Sequence, residues 1–217
     1  MTEQETESKD IVITYDTLFE ILRNEKTKGD LQKLHETFFN DVTSYLNEKQ
    51  ETLTKETDQK SIFESDKKAT LVQSAIGPKR EAVQMHVSNR DDSSSLLNIG
   101  ENQSSIFPGT KEKSTEEINV APLSHFLTKE DLIKPVFVKI DVQGFELEVL
   151  KGSKNLIDVF DYIYVECSFV ELYEGQALAD EVITYLANYS FQLKGVYNTF
   201  YDKKGIAVQG DFLFVKD

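Results

Sequence analysis

An aspartate closes a short apolar run in this chain: residues 136–140, reading VFVKI, lead directly into Asp141, and Gly144 follows three residues later. A run of that kind reads as a buried strand of a parallel sheet. Ligands of such sheets bind beyond the carboxyl ends of the strands, and Gly144 lets the backbone turn sharply into the next helix. An acid in that place either faces a ligand and accepts its protons or hydrogen bonds, or caps the helix that begins near Phe145; position alone leaves both open. The remaining reactive types are sparse. Cys167, the one cysteine, lies in an apolar strand and reads as a small buried hydrophobe. A lone cysteine rules out an internal disulfide and a cysteine-based zinc site, which is compatible with a reducing cytoplasm. His35, His86 and His125 fall on a helix, a strand and a loop with no spacing that brings two ligands together, so no metal site is expected. Tyr197, Phe200 and Tyr201 cluster near a sheet edge, where aromatic residues serve packing.

The elements that must position Asp141 follow from periodicity. After Gly144 the spacing predicts a helix over Glu146–Lys151, then a second buried run, Tyr162–Val165, which together with the strand before Asp141 makes a βαβ unit. Residues 176–188 carry Leu178, Val182, Ile183 and Leu186 on one helical face, and 191–200 with 211–215 alternate as a closing strand pair. Upstream, 69–76 and 82–87 read as two short strands joined by a turn at Gly77 and Pro78, and 91–113 as a long surface loop.

The first third reads differently. Residues 1–10 form a polar, acidic tail. From Thr14, a suitable N-cap, Tyr15, Leu18, Phe19 and Leu22 recur at helical spacing, and after Gly29 a second stripe runs through Leu31, Leu34, Phe38, Val42, Tyr45 and Leu46. Residues 11–53 are therefore expected to be an α-helical hairpin, 54–68 a charged linker, and 69–217 a separate α/β domain.

The chain has 217 residues, 39% of them hydrophobic, with 24 Lys and Arg against 38 Asp and Glu and a net charge of −14. That is a globular composition with room for a core. The charge repels a phosphate backbone, so no direct contact with nucleic acid is expected. The apolar stretches, such as Phe160–Val165, are far shorter than the roughly 20 residues that span a bilayer. The N-terminus is acidic rather than basic and apolar, so neither a membrane span nor a secretory signal is expected.

Residues 139–152, reading KIDVQGFELEVLKG, are similar to the signature block of FkbM-family S-adenosylmethionine-dependent methyltransferases, usually KIDVEG followed by Glu and LKG; Gln143 departs from the usual Glu. The resemblance extends back to VQSAIG at 72–77, similar to the family's third-strand segment, and to SSSLL at 93–97, similar to its serine-rich loop. It runs forward to YVECS at 164–168 and DFLFV at 211–215. It covers about residues 61–217. It implies a partial Rossmann-like class I methyltransferase sheet, mixed, with an antiparallel C-terminal strand pair. The activity implied is transfer of a methyl group from S-adenosyl-L-methionine to a hydroxyl of a sugar, glycan or other small-molecule acceptor. By the same resemblance Asp141 becomes the base or the residue that orients the acceptor, and Ser74 and Ala75 line the adenine side. Glu166 and Tyr173, the latter beside Glu171 and Glu174, become acceptor-binding candidates.

Members of that family open with a Gly-rich turn, usually DVGAN followed by Gly, and a strand ending in FEP; this chain has neither, so the domain is expected to be N-terminally truncated. In their place residues 11–56 resemble the start of the helical domain of archaeal GINS replication-complex subunits, which implies a protein partner docking through helices 14–53. Two readings follow: a cytoplasmic O-methyltransferase, or a non-catalytic methyltransferase remnant with a helical interaction segment linked to a replication complex.

Overall fold

A computed structural model describes residues 11–14, 18–22 and 69–217 of the chain. In chain order the strands are β1 (Ile11–Thr14), β2 (Leu18–Leu22), β3 (Ala69–Val72), β4 (Ala75–Ile76), β5 (Glu81–Ser88), β6 (Glu112–Ala121), β7 (Phe137–Asp141), β8 (Tyr162–Ser168), β9 (Phe191–Tyr201) and β10 (Ala207–Lys216); α1 is Glu101–Ile106, α2 Glu146–Gly152 and α3 Ala179–Ala187. The central sheet has the order β2-β7-β8-β10-β9. Its β7 and β8 are parallel, with α2 between them in the chain, as the βαβ pattern requires. β10 runs antiparallel to both β8 and β9, and β2 antiparallel to β7. The mixed sheet with helices between strands is an α/β architecture, as expected.

Side-chain alternation divides this sheet into two chemically different faces. Val138 and Ile140 of β7, Ile163, Val165 and Cys167 of β8, and Phe212 and Phe214 of β10 join Val149 and Leu150 of α2 and Val182 and Leu186 of α3 in one buried core. Each fully buried large apolar side chain contributes about 1.5–3 kcal/mol, so this face holds the fold together. On the other face Phe137, Tyr164 and Leu213 form a small apolar patch. The alternate positions that continue it are polar: Lys139, Asp141, Glu166, Gln209 and Asp211.

A second sheet, β4-β6-β5, lies upstream. Strands stand on both sides of Gly77 and Pro78, as expected, the first run divided into β3 and β4, and β4 and β5 do not pair with each other. β6 runs between them, parallel to β4 and antiparallel to β5. The segment 91–113, expected as a loop, contains α1 and the start of β6. Residues 11–14 and 18–22 are strands where the first helix of the hairpin was expected; the β-branched run Ile11-Val12-Ile13-Thr14 suits extended backbone. The rest of that hairpin, the linker and the N-terminal tail fall outside the described residues. Among the described residues no helix is long and apolar enough to cross a membrane.

Candidate functional site

The turn between β7 and α2 has a left-handed backbone at two successive residues, Gln143 at φ 52° and Gly144 at φ 99°. Glycine adopts this region freely, whereas glutamine must be held there. The hold comes from Glu146, whose buried Oε1 accepts the backbone N–H of Gly144 at 2.9 Å, and from Ser95, which donates its hydroxyl to the Gln143 carbonyl at 2.6 Å. Burial pushes the Glu146 carboxyl up to about 7; the neighbouring Asp141 charge adds to this, and the backbone N–H groups of Gly144, Glu146 and Val142 oppose it.

Held this way, Gln143 points its amide between two acids. Its Nε2 donates to Asp141 Oδ1 at 2.8 Å and to Glu166 Oε2 at 3.1 Å, and its Oε1 accepts the Tyr173 hydroxyl at 2.9 Å. Lys139 Nζ reaches Asp141 Oδ2 at 3.2 Å, and Gln209 Nε2 reaches Glu166 Oε1 at 2.8 Å. No side chain caps α2, so of the two roles open to Asp141 in the sequence, the structure has its carboxylate in the side-chain network. Glu166 sits in register opposite Asp211 of β10, which accepts from Asn198 Nδ2 at 2.7 Å and the Tyr164 hydroxyl at 3.2 Å. Burial first, and then the charges of Asp141, Glu146 and Asp211, push the Glu166 carboxyl well above the ordinary range; burial also raises Asp211. A raised carboxyl of this kind is a mark of functional sites, where charges are gathered at some energetic cost.

A cavity of about 240 Å³ opens over these acids, lined by Asp141, Gln143, Glu166 and Gln209 below and by Arg90, Asp92, Ser93, Gln103 and Phe107 above. The upper wall is carried by residues 90–107. Gly100 N–H bonds to the Leu172 carbonyl at 2.9 Å, and Leu97, Ile99, Ile106 and Phe107 pack on Leu172, Tyr173 and Val208. Arg90 and Asp92 pair with each other through two bonds, 3.1 and 2.6 Å. Gln103 is buried, and its Oε1 has no hydrogen-bond partner among the described residues. Buried polar atoms without partners are uncommon in folded proteins and call for a reason.

The structure therefore brings Asp141 and Glu166 together, with Tyr173 joined to them through Gln143. The Tyr173 ring is itself 1% exposed, and its hydroxyl also bonds the Ser93 carbonyl at 3.2 Å, so it meets the cavity through two of its lining residues, Gln143 and Ser93. Ser74 and Ala75 lie elsewhere, buried at β4, where the Ser74 hydroxyl donates to the Asn119 carbonyl at 3.0 Å. The residues that follow β4, Pro78 and Lys79, border a second cleft of about 440 Å³ whose apolar wall is Leu97, Phe145 and Leu147. The two spaces flank one turn, Gln143 facing the first and Gly144 the second. Alternation along β10 placed Gln209 and Asp211 within reach of sequence reasoning; Gln103, in a polar stretch, gave no local signal. Among the described residues no group of three or more His, Cys, Asp or Glu is arranged to hold a metal ion.

A family model described as the methyltransferase FkbM domain matches residues 27–193, well over half of the chain. The match takes in residues 27–68, which periodicity assigned to the hairpin and linker. No curated protein matches the chain, and no solved structure does.

Proposed function

Because the chain belongs to the FkbM methyltransferase family, we propose that it is an O-methyltransferase that uses S-adenosyl-L-methionine and acts on a hydroxyl of a sugar, glycan or other small-molecule acceptor. The observation that carries the reading is the array of Asp141 and Glu166, bridged by Gln143, at the carboxyl ends of two parallel strands.

When bound, S-adenosylmethionine supplies an electrophilic methyl group. The larger cleft fits its adenosyl part, since Leu97, Phe145 and Leu147 offer apolar walls and an aromatic face beside the end of β4. Ser74 and Ala75 stand in the chain just before Pro78 and Lys79, which border that cleft. Asp141 accepts the proton that the acceptor hydroxyl loses as its oxygen takes the methyl group, or orients that hydroxyl. Glu166 hydrogen-bonds the acceptor, and Tyr173 fixes the amide plane of Gln143 so that both acids keep their places. A cytoplasmic location belongs to the same proposal.

Calorimetric titration with S-adenosylhomocysteine is the direct test, and heat of binding at millimolar ligand or below is expected. Asp141→Ala should abolish turnover and leave that binding largely intact; loss of both together would move Asp141 from the acceptor to the cofactor. The second reading, a non-catalytic remnant with a docking segment at 14–53, is favoured by one observation: among the described residues β7 has antiparallel β2 as its outer neighbour, where a parallel strand with a Gly-rich turn would carry the cofactor. Absence of any heat with S-adenosylhomocysteine would decide for it.

A further inference from the structure

The hydrogen-bonding groups around the 240 Å³ cavity are unevenly matched. Both hydrogens of Gln143 Nε2 are engaged, one with Asp141 and one with Glu166. Gln209 Nε2 directs one hydrogen at Glu166, and the Arg90 guanidinium has its charge matched by Asp92, to which two of its five N–H groups are bonded. Acceptors, by contrast, are left over. Each carboxylate oxygen of Asp141 and Glu166 has further capacity beyond its one described donor, and Gln103 Oε1, in a residue 3% exposed, has no donor among the described residues.

Charge is unbalanced in the same sense. Asp141 and Glu166 line the cavity with Asp211 and Glu146 close enough behind to disturb them; Lys139 is bonded to Asp141, and the charge of Arg90 on the opposite wall is matched by Asp92. Such a wall favours a guest that brings both hydrogen-bond donors and positive charge. An ammonium group brings three donors and a full charge, and charge-assisted bonds to carboxylates are about twice as strong as neutral ones.

We propose that this cavity is an acceptor site for a hydroxylated molecule carrying a primary ammonium group, an amino-sugar or amino-polyol, and that it turns away acceptors bearing carboxylate or phosphate. The ammonium sits among Asp141, Glu166 and Gln103, and the hydroxyl to be methylated lies beside Asp141. This deepens the methyl-transfer reading and rests on it for the role of acceptor. Binding itself is measured without the cofactor, so the two can fail separately.

The test is calorimetry on the full chain with glucosamine, glucose and glucuronate, each alone and then with S-adenosylhomocysteine at saturation. Glucosamine is expected to bind about tenfold or more tighter than glucose, glucuronate to give no heat, and the preference to survive saturation with S-adenosylhomocysteine. Gln103→Leu, which keeps the bulk and removes the acceptor, should bring glucosamine down to the level of glucose. Glu166→Gln should do the same, and if one variant does not fold by circular dichroism the other carries the test. Equal affinity for the three sugars, no binding of glucosamine, or unchanged glucosamine binding in a folded Gln103→Leu protein would overturn the proposal. So would displacement of glucosamine by S-adenosylhomocysteine, because the ammonium subsite would then belong to the cofactor. Failure of S-adenosylhomocysteine to bind, with the sugar preference intact, would remove methyl transfer and leave an ammonium-sugar site.

Discussion

Gln143 and Glu146 act on the same turn in different ways: one bridges two acids by its amide, the other clamps the backbone that aims it. The clamp has a cost that depends on pH. In the folded chain the Glu146 carboxyl is raised from its ordinary 4.5 to about 7, so the folded state keeps a proton that the unfolded chain gives up. Its contribution is undiminished below the ordinary value and is lost as pH climbs toward 7. The full difference is about 3 kcal/mol. Glu146→Gln keeps an oxygen for the Gly144 N–H and cannot ionise. Urea unfolding across this window should show stability falling with pH in the parent, and falling by about 3 kcal/mol less in the variant; Glu166 and Asp211, raised in the same direction, account for the slope that remains. Equal slopes in the two proteins would exclude Glu146 as the source. Of these residues the sequence exposed Asp141, through the apolar run before it and the glycine after. The left-handed pose of Gln143 was not readable, because it is imposed by Glu146 and Ser95 and not by the preference of glutamine.

Elements with strong periodicity were readable, and those defined by distant pairing were not. The spacing placed α2 and α3 within a few residues, and the apolar or alternating runs placed β7, β8 and β10, because each buries one face on the shared core, and β9, which joins that core through Phe191. β6 escaped since its first six positions are all exposed, leaving no alternation, and nothing local says that it lies between β4 and β5. α1 is six residues in a polar stretch. How tightly the upstream sheet is joined to the rest can be tested at the end of α2. A methyl group on buried Gly152 would run into the backbone of Gly77, just past β4, and backbone yields less readily than a side chain. Gly152→Ala should therefore destabilise the protein by about 1–3 kcal/mol through overpacking, seen as a lower thermal midpoint; an unchanged midpoint would mean that the two elements are free to move apart.

The molecule as a whole carries a net charge of −14, with a sequence isoelectric point of about 4.7. Among the described residues its central sheet ends in β9, an edge strand with Leu193, Val196, Phe200 and Tyr201 exposed. Edges with apolar side chains invite pairing between copies, and net charge opposes it. Self-association should therefore increase as pH is lowered toward the isoelectric point and decrease with Val196→Lys, as read by sedimentation velocity; a mass independent of both would show that this edge does not pair. At this scale too the order of strands has a consequence. β10 follows β9 in the chain yet lies between β8 and β9. While a ribosome is still adding residues 207–216, the growing chain lacks Phe212 and Phe214 of its core, and Gln209 and Asp211 have not reached Glu166. The cavity over Asp141 and Glu166 is thus complete only once residues 207–216 have been made.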